Sequence, residues 1–166
     1  MLADDQKRWL DTLPGTDTIE IVPYTPQAKE VFQQQQAEIQ SILGADAVEL
    51  HKGATAWGIS GQGDVDIYVP VSISQFDSEL DKLRGALGEP ASVYPHTRVR
   101  WNRTVAGMKV EIQLVNQDAE FYRNNVAFWD YLETHPTALA EYERVKAEAA
   151  GTSTREYYTR KVLFIN

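Results

Sequence analysis

Two runs of strict apolar alternation limit what this chain can become. In DVDIYVPV, Val65, Ile67, Val69 and Val71 alternate with Asp64, Asp66 and Tyr68; in MKVEIQLV, Val110, Ile112 and Leu114 alternate with Glu111 and Gln113. Strand side chains change face with a period of two. Each run therefore predicts a strand with one face for a core and the other carrying acids or amides. Asp64 and Asp66 fall on the same side, about 7 Å apart along the strand. If the strands pair, Glu111 joins them. Clustered carboxylates beside a glycine turn suit a hard divalent cation, although solvated strand acids give the same pattern.

Around these runs the chain reads as helices and further strands. Val48 to His51 predicts a short strand, turning at Gly53 into a loop with Gly58, Gly61 and Gly63. Asp4 to Leu13 predicts a helix stopped by Pro14-Gly15. Thr18 to Pro23, TIEIVP, predicts a strand. Thr25 then caps a helix with Pro26 in its first turn, closed by Gly44. Phe76, Leu80, Leu83 and Leu87 give Ser74 to Leu87 a helical stripe, and Val93 to Val105 reads as one strand before a turn at Ala106-Gly107. From Asp118 onward the pattern is helical, broken at His135-Pro136 and at Gly151. The expected fold class is α+β: a mixed sheet with helices on one side and a helical C-terminal part packed against it.

The 166 residues suffice for one domain, expected to span 1–166. With no cysteine, disulfides, thiolate metal sites and cysteine nucleophiles are excluded, which fits a cytoplasmic protein. The formal net charge of −8 disfavours an extended nucleic-acid footprint. No apolar run approaches the roughly 20 residues needed to span a bilayer. The opening MLADDQKRWL lacks the apolar core of a signal peptide.

A glycine turn, a spacer, Asp-x-Asp, and a third acid between apolar residues on a later strand together resemble the nucleotidyltransferase superfamily with the DNA polymerase β type of fold. IEIVPYTPQAKEVFQQQ, HKGATA, AFWDYLETHP, AEYERVKAEAA and YYTRKVLFI narrow the likeness. Taken in order they resemble the GrpB family, also called UPF0157, over about residues 18–165. Three positions depart from its pattern. Ala54 stands where the family carries a serine, Glu111-Ile112-Gln113 where it often carries His-Leu-His, and Trp129 where an arginine is common.

The resemblance implies a nucleotidyltransferase-like fold on which Asp64, Asp66 and Glu111 hold Mg²⁺ or Mn²⁺ and carry the chemistry. Glu111 either completes the metal site or acts as the base. Gly53 and Thr55 are candidates for phosphate contacts, or form only a tight turn. Arg98 and Arg100 share a strand face and either meet phosphates or stay solvated. Lys161 recurs with Arg155 and Tyr158 at helical spacing and matches a family lysine; it reaches the nucleotide or joins a surface ion pair. His51 reads as structural. The expected partner is a nucleoside triphosphate or another phosphorylated small molecule. Two functions stay open: Mg²⁺-dependent nucleotidyl transfer to an unknown acceptor, or a binding module on the same fold that transfers nothing.

Overall fold

The two alternating runs become neighbouring strands. The computed structural model describes residues 2–166. Among these residues there are five strands: β1 (Leu50–Lys52), β2 (Val65–Val71), β3 (Ser92–Tyr94), β4 (Arg98–Val105) and β5 (Met108–Asn116). They form one mixed sheet in the order β1-β2-β5-β4-β3, in which β2 and β5 run parallel and the other neighbours antiparallel. Six helices accompany it among the described residues: α1 (Asp4–Asp11), α2 (Gln27–Leu43), α3 (Ile73–Leu87), α4 (Glu120–Thr134), α5 (Pro136–Glu148) and α6 (Thr154–Ile165). Among the described residues, no helix is long and apolar enough to cross a membrane.

The apolar parity builds one core. Val65, Ile67, Val69, Val110, Ile112 and Leu114 meet Val99 and Trp101 of β4 on a single sheet face. Ala28, Val31 and Ile39 of α2, with Phe76 and Leu83 of α3, cover that face. Burying these side chains is the main stabilising contribution available to the fold. Trp101 also satisfies its indole N–H, donating to the Gly88 carbonyl at 2.8 Å. The opposite face carries the polar parity and looks toward α4, α5 and α6.

Three expectations need correction. Thr18 to Pro23 is not a strand: among the described residues, its ladder pairing is limited to an isolated bridge between Val22 and Gly61. Ile19 instead exchanges backbone hydrogen bonds with Gly151 and Thr152. Its side chain packs with Ala149 and Tyr157 in a second, smaller core. The segment thus ties the C-terminal helices to the glycine loop. The single strand expected over Val93 to Val105 is two strands, because Pro95 supplies no N–H and His96 adopts φ +55° within a turn. The first short strand begins at Leu50 and not at Val48, whose side chain is exposed. The turn at Ala106-Gly107 forms as expected, with both residues at positive φ. His135 lies between α4 and α5, with Pro136 opening α5.

Candidate functional site

Strand register arranges the polar face in rungs. The parallel pairing sets Asp66 opposite Glu111 and Tyr68 opposite Gln113. The antiparallel pairing sets Arg100 opposite Gln113 and Arg98 opposite Val115, one rung further on. Asp64 immediately precedes β2. Between this face and the C-terminal helices lies a cleft of about 350 Å³ lined by Asp64, Asp66, Glu111, Gln113, Lys146 and Lys161, among others. The three sequence-predicted acids therefore share one cleft. They do not close on one point: among the described residues, no three His, Asp or Glu side chains group closely enough to hold an ion.

The glycine turn is shaped around Asp66. Gly53 has φ +83°, and a Cβ there would lie 2.3 Å from Asp66 Oδ2. Only glycine admits both that backbone and that carboxylate. Thr55 does not offer its hydroxyl to the cleft. It is buried, donates to the Asp64 carbonyl at 2.8 Å and meets His51 Nε2 at 2.9 Å. His51 stacks on Phe32 at 4.8 Å, and burial alone pulls its pKa down to about 4, which makes it a neutral structural residue. Ala54 lines the cleft without a hydroxyl, and its backbone N–H donates to no described group.

A residue that sequence reasoning missed clamps the loop. Lys146 of α5 is only 2% exposed and donates to the Ser60 carbonyl at 2.7 Å. One turn earlier, Glu143 accepts from the Ser60 N–H at 2.7 Å and its hydroxyl at 2.8 Å. The available signal is helical spacing, since Tyr142, Lys146 and Ala149 share the buried side of this region. Lys161 of α6 lies over the rings of Tyr157 and Tyr158, at 5.3 and 5.0 Å. Neither ammonium has a carboxylate within ion-pair distance among the described residues.

The other predicted cations have separate roles. Arg98 is wedged between the rings of Tyr94 and Phe121, at 4.5 and 4.3 Å. Arg100 leans toward Glu111, with Nη1 3.5 Å from Oε1. Arg103 ties β4 to α2 through Gln35 and Glu38, both at 2.9 Å. Arg155 brackets α1 to α6 by donating to the Asp11 and Leu13 carbonyls.

Charge is poorly neutralised inside the cleft. Burial, then Glu111 and Asp64, push the Asp66 carboxyl up to about 7. Burial also raises Asp64, with Lys109 opposing and Glu111 adding to the rise. Burial and the neighbouring Lys161 pull Lys146 down to about 7. At Lys161 burial works against the charge, but Tyr142, Tyr157, Tyr158 and Asp66 outweigh it and the pKa is raised. Glu111 is paired with Arg100, but Asp64 and Asp66 on the sheet face Lys146 and Lys161 on the helices with no ion pair between them among the described residues.

Comparison with known proteins agrees with this architecture. A UPF0157 protein of Vibrio cholerae is 25% identical over 144 residues, covering 86% of this chain and 76% of its own. The crystal structure of a conserved GrpB protein from Enterococcus faecalis superposes with a TM-score of 0.69 at 17% identity, over 87% of this chain and 93% of that one, and shares the fold. The Cid1 poly(U) polymerase aligns with a TM-score of 0.46 at 16% identity, over 83% of this chain and 49% of its own. The sequence pattern of the GrpB protein family matches residues 18–166, and the chain belongs to that family.

Proposed function

We propose that this protein binds a nucleoside triphosphate with Mg²⁺ or Mn²⁺ and transfers its nucleotidyl group to a small hydroxyl-bearing acceptor, with residues 1–166 acting as one unit. The observation that carries this reading is that Asp64 and Asp66, without an ion pair among the described residues, face Lys146 and Lys161 across one cleft. A metal-bound polyphosphate is complementary to both walls, cation toward carboxylates and phosphate oxygens toward lysines.

The donor set fits such an ion. Asp64 Oδ1 is buried with no hydrogen-bond partner, and Asp66 Oδ2 is lodged against the Gly53 backbone. Mg²⁺ is commonly held by one or two carboxylates plus phosphate oxygens, so Asp64 and Asp66 suffice as its protein ligands. When bound, the ion neutralises charge on the transferring phosphate. Lys161 and Lys146 hold the phosphates from the helical side, and the Ala54 N–H supplies a backbone donor. Arg98 and Arg100 stand on rungs beyond the acids, so the phosphates fall to the lysines. Glu111 takes the proton of the acceptor hydroxyl as its oxygen bonds to the α-phosphorus, and pyrophosphate leaves with the α–β bridging oxygen.

A second reading, a binding module without transfer, draws on the committed Thr55 hydroxyl, the missing hydroxyl at Ala54, and the lack of a three-ligand cluster among the described residues. Calorimetric titration of each NTP, with and without Mg²⁺, into wild type and Lys161→Ala tests the site. Mg²⁺-dependent binding, weakened roughly tenfold or more by the substitution, is the expected result. Pyrophosphate release on adding the small-molecule fraction of a cell extract separates transfer from binding. If no nucleotide binds with Mg²⁺, or with Mn²⁺ in its place in the same titration, both readings end.

A further inference from the structure

Beyond the acid rung, residues that line the cleft carry buried polar atoms that the phosphate chemistry leaves unused. Gln113, only 6% exposed, keeps its Oε1 buried without a partner. Tyr68 is its register partner on β2, and the amide oxygen is the atom left without a partner. Arg100 Nε and Asn125 Nδ2 are likewise buried and unpartnered, and both are donors. All three residues line the cleft. Gln113 and Arg100 are direct cross-strand partners, and α4 brings Asn125 to the same cleft. Buried polar groups in folded proteins are almost always satisfied, so three orphans around one cleft call for a ligand that satisfies them.

The ligand's chemistry follows from the count. The three orphaned atoms are one acceptor and two donors, so a ligand that satisfies them carries one donor and two acceptors. Uracil has this set in N3–H, O2 and O4; cytosine has it in its amino group, N3 and O2. On the same pairing edge adenine presents one donor and one acceptor and guanine two donors and one acceptor; a purine reaches one donor and two acceptors only by turning its N7 side to the wall as well. The polar rung is one strand repeat, about 7 Å, from the Asp66–Glu111 rung, which leaves room for a sugar between phosphate and base. Resting on the nucleotide reading above, we infer that Gln113, Arg100 and Asn125 form a base-reading site that selects pyrimidine over purine nucleotides.

The test compares UTP, CTP, ATP and GTP with inorganic tripolyphosphate, each with Mg²⁺, by calorimetry on the full chain. Tripolyphosphate should bind, and UTP and CTP should bind roughly tenfold or more tighter than ATP and GTP, the effect of one or more well-made hydrogen bonds. Gln113→Met should reduce the pyrimidine preference while leaving tripolyphosphate affinity unchanged. Asn125→Leu, on a helix and away from the sheet, should do the same and keeps the test usable if Gln113→Met does not fold. Equal affinity for the four nucleotides, or a purine preference, overturns the base-reading site and leaves the phosphate site standing. Binding of none of the five ligands overturns both. A pyrimidine preference that survives both substitutions assigns the selection elsewhere and also overturns the inference.

Discussion

Replacing Lys146 with methionine should stabilise the ligand-free protein and damage it as a binder. Burial, followed by repulsion from Lys161, displaces this pKa from 10.5 to about 7. At about 1.4 kcal/mol per unit of pKa, the folded state carries about 5 kcal/mol of strain when Lys146 is charged. The sign follows from linkage. Between about 7 and 10.5 the unfolded chain holds the proton and the folded chain does not, so stability rises with pH across that window. Below it both states are protonated and the full penalty applies; above it the penalty vanishes. Methionine fills a similar volume but leaves the Ser60 carbonyl without its 2.7 Å donor, which costs about 1–3 kcal/mol. The net gain should be about 2–4 kcal/mol at pH 6, or roughly 5–15 °C in Tm for a chain of this size. It should shrink steadily toward pH 10. Thermal melts of both proteins across pH 6 to 10 measure this directly, and tripolyphosphate titration with Mg²⁺ should show weaker binding by the variant. A variant destabilised at pH 6, or a Tm difference flat across the pH range, would refute the claim that Lys146 is an uncompensated buried cation.

Asp66→Asn should likewise raise the ligand-free Tm at pH 8, because the carboxyl titrates near 7 in the fold and its charged form is strained above that pH. The same variant should lose any Tm increase on adding Mn²⁺; an identical Mn²⁺ response in both proteins would remove the aspartates from the metal site. Thr55→Val should lower stability by about 1–2 kcal/mol in urea melts, through loss of the brace to the Asp64 carbonyl, with little effect on nucleotide affinity. A drop in affinity without a drop in stability would mean that the hydroxyl touches phosphate after all. Arg103→Ala should cost about 1–2 kcal/mol, discounted for partial exposure, by freeing the buried Gln35 and unpairing Glu38. Unchanged denaturation would show that this tie between β4 and α2 carries no stability.

Much of the sheet is legible in the amino-acid sequence itself. Alternation depends only on a residue's immediate neighbours, so the parity of Asp64, Asp66, Glu111 and the core valines can be read along the chain. Helix ends at Gly44, Gly88 and Pro136 are equally local, because the backbone preferences of glycine and proline act where they stand. The ordered motifs also carry the GrpB assignment. Periodicity leaves open which distant groups meet. Thr18 to Pro23 has strand composition, yet its partners are Gly61 and the Gly151 turn, and no local rule encodes that choice. Along the chain Thr55 is free for a phosphate; in the fold Asp64 and His51 take its hydroxyl. Lys146 reads as one more helix lysine. It becomes a buried cation only when α5 packs against the Ser60 loop, 86 residues earlier in the chain. Gln113, by parity a neighbour of the acids, shares a cleft with two unsatisfied donors only because β4 and α4 bring Arg100 and Asn125 there. Desolvation and hydrogen-bond satisfaction are properties of the assembled interior, and the chemistry of this cleft depends on both.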